Sequence, residues 1–296
     1  MALCCLIGFF TYPEFVSAFP IEVTDILSRR VTISASPQRI VSLAPSHTEQ
    51  LFAIGAGDKV VGVTLYDNYP PPVQRLKRVG GYVGKSISVE IIVSLRPDLV
   101  LSRGEIQRSV ITALERIGIP VVALEPKNFD EVYASIVLLG RLTNRLQQAE
   151  QVVADMRRRV ARVRHEVAKI PAAQRARVFY KAYDEPLIAA GPSTFIGHVI
   201  EMAGGINIFA DVKESYPQVS AEEVLRRDPT VILGPAGNGV NVAAIAPPQR
   251  PGWRHLSAVK NRRIHMLDDD LVSRPGPRLA AALEIVAKAL YPDRFP

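Results

Sequence analysis

Two short stretches of this chain carry an acid in the same setting. Residues 87–97 read ISVEIIVSLRP and residues 219–229 read VSAEEVLRRDP. Each has Ser, then Glu two positions on, then Pro seven after that Glu: Ser88, Glu90, Pro97 and Ser220, Glu222, Pro229. A short apolar run follows both, DLVLS and TVILG. A serine in this position reads as a helix N-cap, its hydroxyl accepting from a backbone N–H that has no partner inside the helix. Glu90 and Glu222 then stand at the second helical position. Ile92 and Val93 of the first helix match Val224 and Leu225 of the second, and all four are expected to face the core. Glu223 is placed to fold back and complete a capping box, which leaves Glu222 free to point outward. An acid in the first turn suits the helix dipole, by about 0.3–1 kcal/mol. Two such acids at matching places allow a second use, as exposed carboxylates docking a partner that has two basic pockets.

Other groupings suggest acid–base or metal chemistry less well. His47 stands beside Glu49, and His265 precedes Asp268, Asp269 and Asp270. Ser46 and Glu49 make an S-x-x-E capping box, so a helix is expected to start there and Glu49 has a capping role. His265 alternates along an expected strand, and the three aspartates read as a loop. The chain has no H-E-x-x-H, no G-x-S-x-G and no phosphate-binding glycine loop. The reading is of a binding protein and not an enzyme, with no catalytic residue, metal site or cofactor assigned.

The elements that must position these residues follow from the rest of the chain. With 296 residues, 48% hydrophobic and 22% charged, there is material for about two domains. The net charge of +7 and the pI of about 9.5 allow an anionic partner without requiring one. Ala2–Phe10 is an uncharged apolar run, too short for a bilayer, and VSA ends at Ala18. Residues 1–18 therefore read as a cleavable signal peptide, which implies a soluble protein exported to the periplasm. Both cysteines, Cys4 and Cys5, fall inside it, so the mature chain would have no disulfide and no thiolate site.

Residues 20–33 read as a hairpin. RIVSLA, KVVGVT, LVLS and PVVALE then alternate with helical stretches, and RVFYKA, TVILG and RIHMLD do so again later. This is the pattern of parallel α/β lobes. Between the two sets, residues 143–170 contain no Pro or Gly. At 1.5 Å per residue they would make a helix roughly 40 Å long, with Leu146, Ala149, Val152, Val153, Met156, Val160 and Val163 on one face and arginines on the other. The expected division is a first lobe at 19–142, a joining helix at 143–170 and a second lobe at 171–296. The arginines of RRRVARVRH lack interleaved aromatics, so the helix reads as a solvated amphipathic face and no nucleic-acid partner is expected.

The segments VTDILSRRVTI, PQRIVSLAPSHTEQLFAIGAGDKVVGVT, RVGGY, SVEIIVSLRPDLVL, LLGRLT, AGGINIF, YPQVSAEEVLRRDPTVIL and RPGPRLAAALE occur in this order. In order and spacing they resemble the periplasmic substrate-binding proteins of ABC importers for cobalamin, haem and iron–siderophore complexes. The likeness covers nearly the whole chain beyond residue 18. It implies the class III fold: two similar three-layer α/β lobes with mainly parallel sheets, joined by one long rigid α-helix, with the ligand in the cleft between them. It also implies glutamates at the lobe tops that dock to arginines of the permease dimer, which works with ATPase subunits. The matching positions are Glu90 and Glu222.

Within that family VTLYDNYPPPVQ and YPQVSAEEV resemble the cleft segments of cobalamin binders, in which three aromatics contact the corrin. Tyr66 keeps the tyrosine of that set. Tyr82 and Tyr216 stand where tryptophan is usual. Asp270 matches an acid near the ligand in the second lobe, and Arg103 follows a strand end that should face the cleft. Aromatic faces suit a large flat macrocycle, since they bury much apolar area at little cost in side-chain entropy. Tyrosine can also ligate ferric haem iron, so haem or a ferric siderophore is the alternative ligand to cobalamin or another corrinoid. Delivery to a surface sensor is compatible with the same features. A monomer is expected, because the cleft is intramolecular and both glutamates must stay exposed.

Overall fold

The computed structural model describes residues 19–236 and 250–295. The signal peptide expected at 1–18, with Cys4 and Cys5, lies outside them. The described chain opens with a hairpin in which β1 (Ile21–Thr24) and β2 (Arg30–Ile33) pair antiparallel, Ile21 opposite Ile33. Alternate residues are buried in both strands, as a one-sided ribbon requires. The Asp25 carboxylate closes the turn by accepting the N–H groups of Leu27 and Arg29.

The apolar runs that follow become β3 (Ile40–Ser42), β4 (Val60–Val63), the short β5 (Lys77–Arg78), β6 (Leu99–Ser102) and β7 (Val121–Ala123). They form one parallel sheet in the order β5-β4-β3-β6-β7. Helices α1 (Pro45–Ala53), α2 (Val89–Ser94) and α3 (Arg108–Arg116) provide crossovers. After α4 (Phe129–Leu142) and α5 (Leu146–Ala168) the pattern recurs. β8 (Arg177–Tyr183), β9 (Ile188–Ala189), β10 (Ile206–Asn207), β11 (Val231–Ala236) and β12 (Ile264–Asp268) make the second sheet. Its parallel order is β10-β8-β11-β12, with β9 antiparallel to the end of β8. Around it lie α6 (Phe195–Met202), α7 (Ala221–Arg227), α8 (Ser257–Lys260), α9 (Asp269–Ser273) and α10 (Leu279–Leu290). Strands β3, β6 and β7 are wholly buried and β11 is buried over its first four residues, as in sheets covered on both faces. This is the two-lobed α/β architecture expected from the sequence.

The long helix is shorter than expected. Thr143 ends α4, its hydroxyl donating to Leu139 O at 2.7 Å, and Asn144 takes a left-handed φ of 56° before α5 begins. The sequence reading missed α4 altogether, because its amphipathic face merges with the run that follows. Gly140 of α4 sits where an added Cβ would lie 2.4 Å from the Ala149 methyl, so the two helices meet at close range. α5 buries Ala149, Val153, Met156, Val160, Val163 and Val167 against α4 on one side and α10 on the other, bridging both sheets' helical layers. Arg159 on its outer flank pairs with Glu284 of α10 at 2.6 Å.

Four local expectations are corrected. The N-cap of α1 is Ala44, Pro45 fills the first turn, and Ser46 and Glu49 do not form a capping box. A rigid φ at the helix start replaces the side-chain cap, and Glu49 has other partners. Val93 is 39% exposed while Ile92 is fully buried, since neighbouring residues of a helix with 3.6 residues per turn point about 100° apart. Glu223 donates its N–H to Ser220 Oγ at 3.1 Å, but its carboxylate reaches Arg227 at 2.8 Å, so the capping box there is half made. The aspartate run is not a loop: Asp268 ends β12 and caps α9 by accepting from Asp270 N–H at 3.0 Å.

Candidate functional site

Open parallel sheets offer ligands the crevice beyond their strands' carboxyl ends, at the point where the strand order reverses. In the first sheet that point is β3, which has β4 on one side and β6 on the other. A cavity of about 350 Å³ opens there. Its walls are Ala44, Pro45 and Ser46 after β3, Tyr66 after β4, Tyr82 after β5 and Arg103 after β6. Asp269, Asp270, Ser273, Arg274 and Pro275, which follow β12, face them. The carboxyl ends of both sheets therefore converge on one cleft. A larger hollow of about 770 Å³ lies along α5, but the described residues lining it come from that one helix, with no strand end supplying convergent groups.

Tyr66, Tyr82 and Arg103 are held from behind. Leu65 donates to Gly80 O at 2.8 Å, and Tyr66 N–H to Thr64 Oγ1 at 3.2 Å. Asp67, 1% exposed, accepts Thr64 N–H at 2.9 Å and locks the turn that aims Tyr66 outward. Burial pushes its carboxyl above the ordinary range, against hydrogen bonds from Thr48 and Thr64 and the nearby Arg274 charge. Tyr66 and Tyr82 meet edge to face, ring centroids 6.3 Å apart at 88°, an arrangement the ring quadrupoles favour. The Arg103 guanidinium lies 5.0 Å above the Tyr82 ring and pairs with Glu125 at 2.8 Å. Gln107, fully buried, ties these together: Nε2 donates to Leu43 O and Tyr82 O at 2.8 and 2.9 Å, and Oε1 accepts Arg103 N–H at 2.9 Å.

From the second lobe, Asp270 accepts from Asn68 and Arg274, and Asp269 accepts from Ser273 Oγ at 2.6 Å. The structure thus brings Tyr66, Tyr82, Arg103 and Asp270 to one cavity. Tyr216 is not part of that wall. The residue is 58% exposed, yet desolvation and then the Asp269 charge push its phenol upward, partly offset by Arg103. Tyr180, 4% exposed on β8, is pushed higher still by burial and then by Asp269 and Tyr216. Nothing in the sequence distinguished Tyr180 from an ordinary strand aromatic, nor Gln107 from a loop polar residue. Arg274 lay within a segment already singled out, but its side chain went unremarked.

Glu90 and Glu222 both lie at exposed helix starts, outside the cavity. Ser88 accepts Ile91 N–H at 3.2 Å and donates to Glu90 Oε2 at 2.9 Å. Hydrogen bonds from its own backbone amide and then from Ser88 hold the Glu90 carboxyl below the usual range. The amide of Glu222 and the Ser220 hydroxyl do the same for Glu222. Both acids stay ionised in mildly acidic solution.

His47 is fully buried, and Nε2 lies 3.0 Å from Leu124 O, a partner that can only accept. Burial and then the Arg103 charge lower its pKa to about 4, against that hydrogen bond. It is a neutral structural imidazole at neutral pH. Burial and Arg263 lower His265 as well. Among the described residues no group of three or more His, Cys, Asp or Glu could hold a metal ion, and no helix is long and apolar enough to cross a membrane.

The sequence profile of a family described as periplasmic binding protein matches residues 40–271. An uncharacterized ABC transporter substrate-binding lipoprotein of Bacillus subtilis is 34% identical over 282 residues, covering 94% of this chain and 87% of that protein. The solved periplasmic vitamin B12 binding protein of Vibrio cholerae superposes with a TM-score of 0.74 at 32% identity, covering 86% of this chain and 97% of its own. A periplasmic heme-binding protein from Roseiflexus superposes with a TM-score of 0.75 at 29% identity, over 87% and 99%.

Proposed function

Because the chain belongs to the periplasmic binding protein family, as a substrate-binding component of an ABC importer, we propose that its ligand is cobalamin or another corrinoid, captured in the cleft between the lobes. The observation that carries this choice is the charge state of the cavity wall. Both arginines that line it are already committed, Arg103 to Glu125 at 2.8 Å and Arg274 to Glu49 at 3.0 Å and to Asp270. Asp269 has no arginine partner among the described residues. Among the described residues such a wall offers no unpaired arginine for the carboxylates of haem. It suits a macrocycle rimmed by neutral amides, which Tyr66 and Tyr82 can meet with ring faces and hydroxyls. At about 350 Å³ the cavity is at the small end for ligand sites, so it would take one edge of a corrinoid while the rest lies against the lobes' rims.

In this reading Tyr66, Tyr82, Arg103, Tyr216 and Asp270 contact the ligand. Glu90 and Glu222, one on each lobe, dock to the permease dimer, whose ATPase subunits drive uptake. The protein works as a monomer in the periplasm. The test is calorimetric titration with cyanocobalamin, haemin and a ferric hydroxamate in parallel. Tight 1:1 binding of cyanocobalamin alone is expected, and loss of that binding in Tyr66→Ala and Tyr82→Ala. Haemin or hydroxamate binding with none for cyanocobalamin would move the protein to iron uptake and overturn the corrinoid assignment.

A further inference from the structure

Glu49 lies on α1 of the first lobe, its side chain 2% exposed. It receives two guanidinium groups from the second lobe. Arg278 donates through Nε and Nη2, both at 2.8 Å, and Arg274 through Nη1 at 3.0 Å. Arg274 also donates to Asn68 Oδ1 at 2.8 Å and to Tyr66 O at 3.1 Å, and it pairs with Asp270 beside it. Arg278 covers the Tyr69 ring at 4.2 Å. Next door, Gln50 Nε2 donates to Pro275 O at 3.0 Å. Two acids and two arginines thus form a neutral quartet across the base of the cleft, and most of their bonds run between lobes. The bidentate, charge-assisted geometry of Arg278 is the strong kind, and it leaves Glu49 little freedom to slide.

We infer that Glu49, Arg274 and Arg278 form an inter-lobe pin that fixes the Tyr66-bearing turn against the second lobe, so that the cleft is set before ligand arrives. Glu49 and Arg278 do not line the cavity; they are positioning residues. A long joining helix resists bending but does not by itself stop rotation of one lobe about its axis. Bonds that tie Glu49 of the first lobe to Arg274 and Arg278 of the second do. Of these bonds, the one from Arg274 to the Tyr66 carbonyl carries the effect to the aromatic wall.

The test compares the full chain with Glu49→Gln, which keeps the shape and removes the charge, and Arg278→Met, which keeps the apolar stem. Glu115→Gln, which breaks an exposed pair with Arg29, is the control. Hydrogen exchange is followed at the amides of Leu65, Tyr66 and Asp67 and, for reference, at β8 and β11. The pin requires at least tenfold faster exchange in the turn for both pin variants, no change at β8 and β11, and no change in the control. A double variant should be no worse than Glu49→Gln alone, because one quartet is broken once. Uniform acceleration through both sheets would reduce the pin to ordinary stabilisation, and an unchanged turn would remove it. A second arm rests on the corrinoid reading: the dissociation rate of cyanocobalamin should rise at least tenfold in both variants, with the association rate within threefold. If the parent chain binds no cyanocobalamin, that reading fails while the exchange arm still decides the pin.

Discussion

The rim helices α2 and α7 are built from the same parts up to a point. Ser88 and Ser220 cap them, and each keeps a glutamate in the first turn. Each ends in a left-handed residue before a proline, Arg96 with φ 47° and Asp228 with φ 37°. An arginine at the head of a central strand that precedes the helix in the chain, β3 or β8, then covers the exposed carbonyls. Arg39 donates to Leu95 O at 3.0 Å and Arg96 O at 3.2 Å, and Arg177 donates to Arg227 O. Even the strand entry repeats: Asp98 accepts Arg39 N–H and Thr230 accepts Arg177 N–H, both at 2.9 Å. What differs is the surroundings of the acid. Glu90 has Ile91 and the exposed Val93 on its own helix. Glu222 has Glu223, bound into a chain with Arg227 and Asp211. Of the shared parts, the serine cap and the glutamate's own amide hold the carboxylate ionised, and the rest fix the helix end. The unshared parts surround the acid, so the two rims present it in different settings.

The largest expected effect tests the shared parts. Glu90→Ala with Glu222→Ala together should leave ligand affinity within about twofold, since neither acid lines the cavity. Ligand-stimulated ATPase activity of the reconstituted importer should fall at least about 100-fold, roughly 3 kcal/mol of coupling. Either single variant should lose less. Full activity in the double variant would end the docking role, and a large loss of affinity would mean the rims act on the cleft.

Acid sharpens the contrast between lobes. His47 sits in the first lobe with its pKa lowered from 6.5 to about 4. A base whose folded value is depressed binds fewer protons folded than unfolded between those values, so stability is full above about pH 6.5 and declines as pH falls toward 4. The full span corresponds to about 3 kcal/mol. The second lobe's His265 is only half-buried, with a smaller downward shift. Urea unfolding between pH 7 and pH 4 should lose most of that amount in the parent and much less in His47→Gln. Equal slopes would show that other groups carry the acid sensitivity.

The fold was legible because its signals are local: apolar runs bounded by Gly and Pro, and serine caps followed by acids. The paired helices and the longer strands of both sheets could be read from spacing; the two-residue strands β5, β9 and β10 could not, being too short to carry a pattern. Long-range partners could not. Glu49 reads as a capping acid because Ser46 stands three residues before it, yet Pro45 makes that cap unnecessary and the carboxylate goes to Arg278, far along the chain. Gln107 ties the backbones of Leu43, Tyr82 and Arg103, a role with no periodicity to betray it. Tyr66, Tyr82, Arg103 and Asp270 were named through resemblance, and the structure gathers them at one cavity. Tyr216, named the same way, stands outside the wall.

The smallest expected effect concerns the caps. Removing a serine N-cap costs about 1 kcal/mol, within a range of roughly 0.5–2. If the two rims were equivalent, Ser88→Ala and Ser220→Ala would cost the same. They should not. In α7 the carboxylate of Glu223 is tied at 2.8 Å to Arg227, which also pairs with Asp211 at 2.6 Å. That chain holds the first turn after the cap is gone. Among the described residues nothing comparable spans the turn in α2, and the only side-chain bond to Glu90 comes from Ser88 itself. Ser88→Ala should therefore lower the unfolding free energy by more, about twice as much. In both variants the neighbouring glutamate loses a hydroxyl donor, so its carboxyl should rise toward the ordinary range, read by NMR titration of the side-chain carboxyl carbon. Equal losses of stability would mean that the charged chain of α7 is ornamental to that helix. A rise at Glu90 without one at Glu222 would mean that the backbone amide alone holds the second acid.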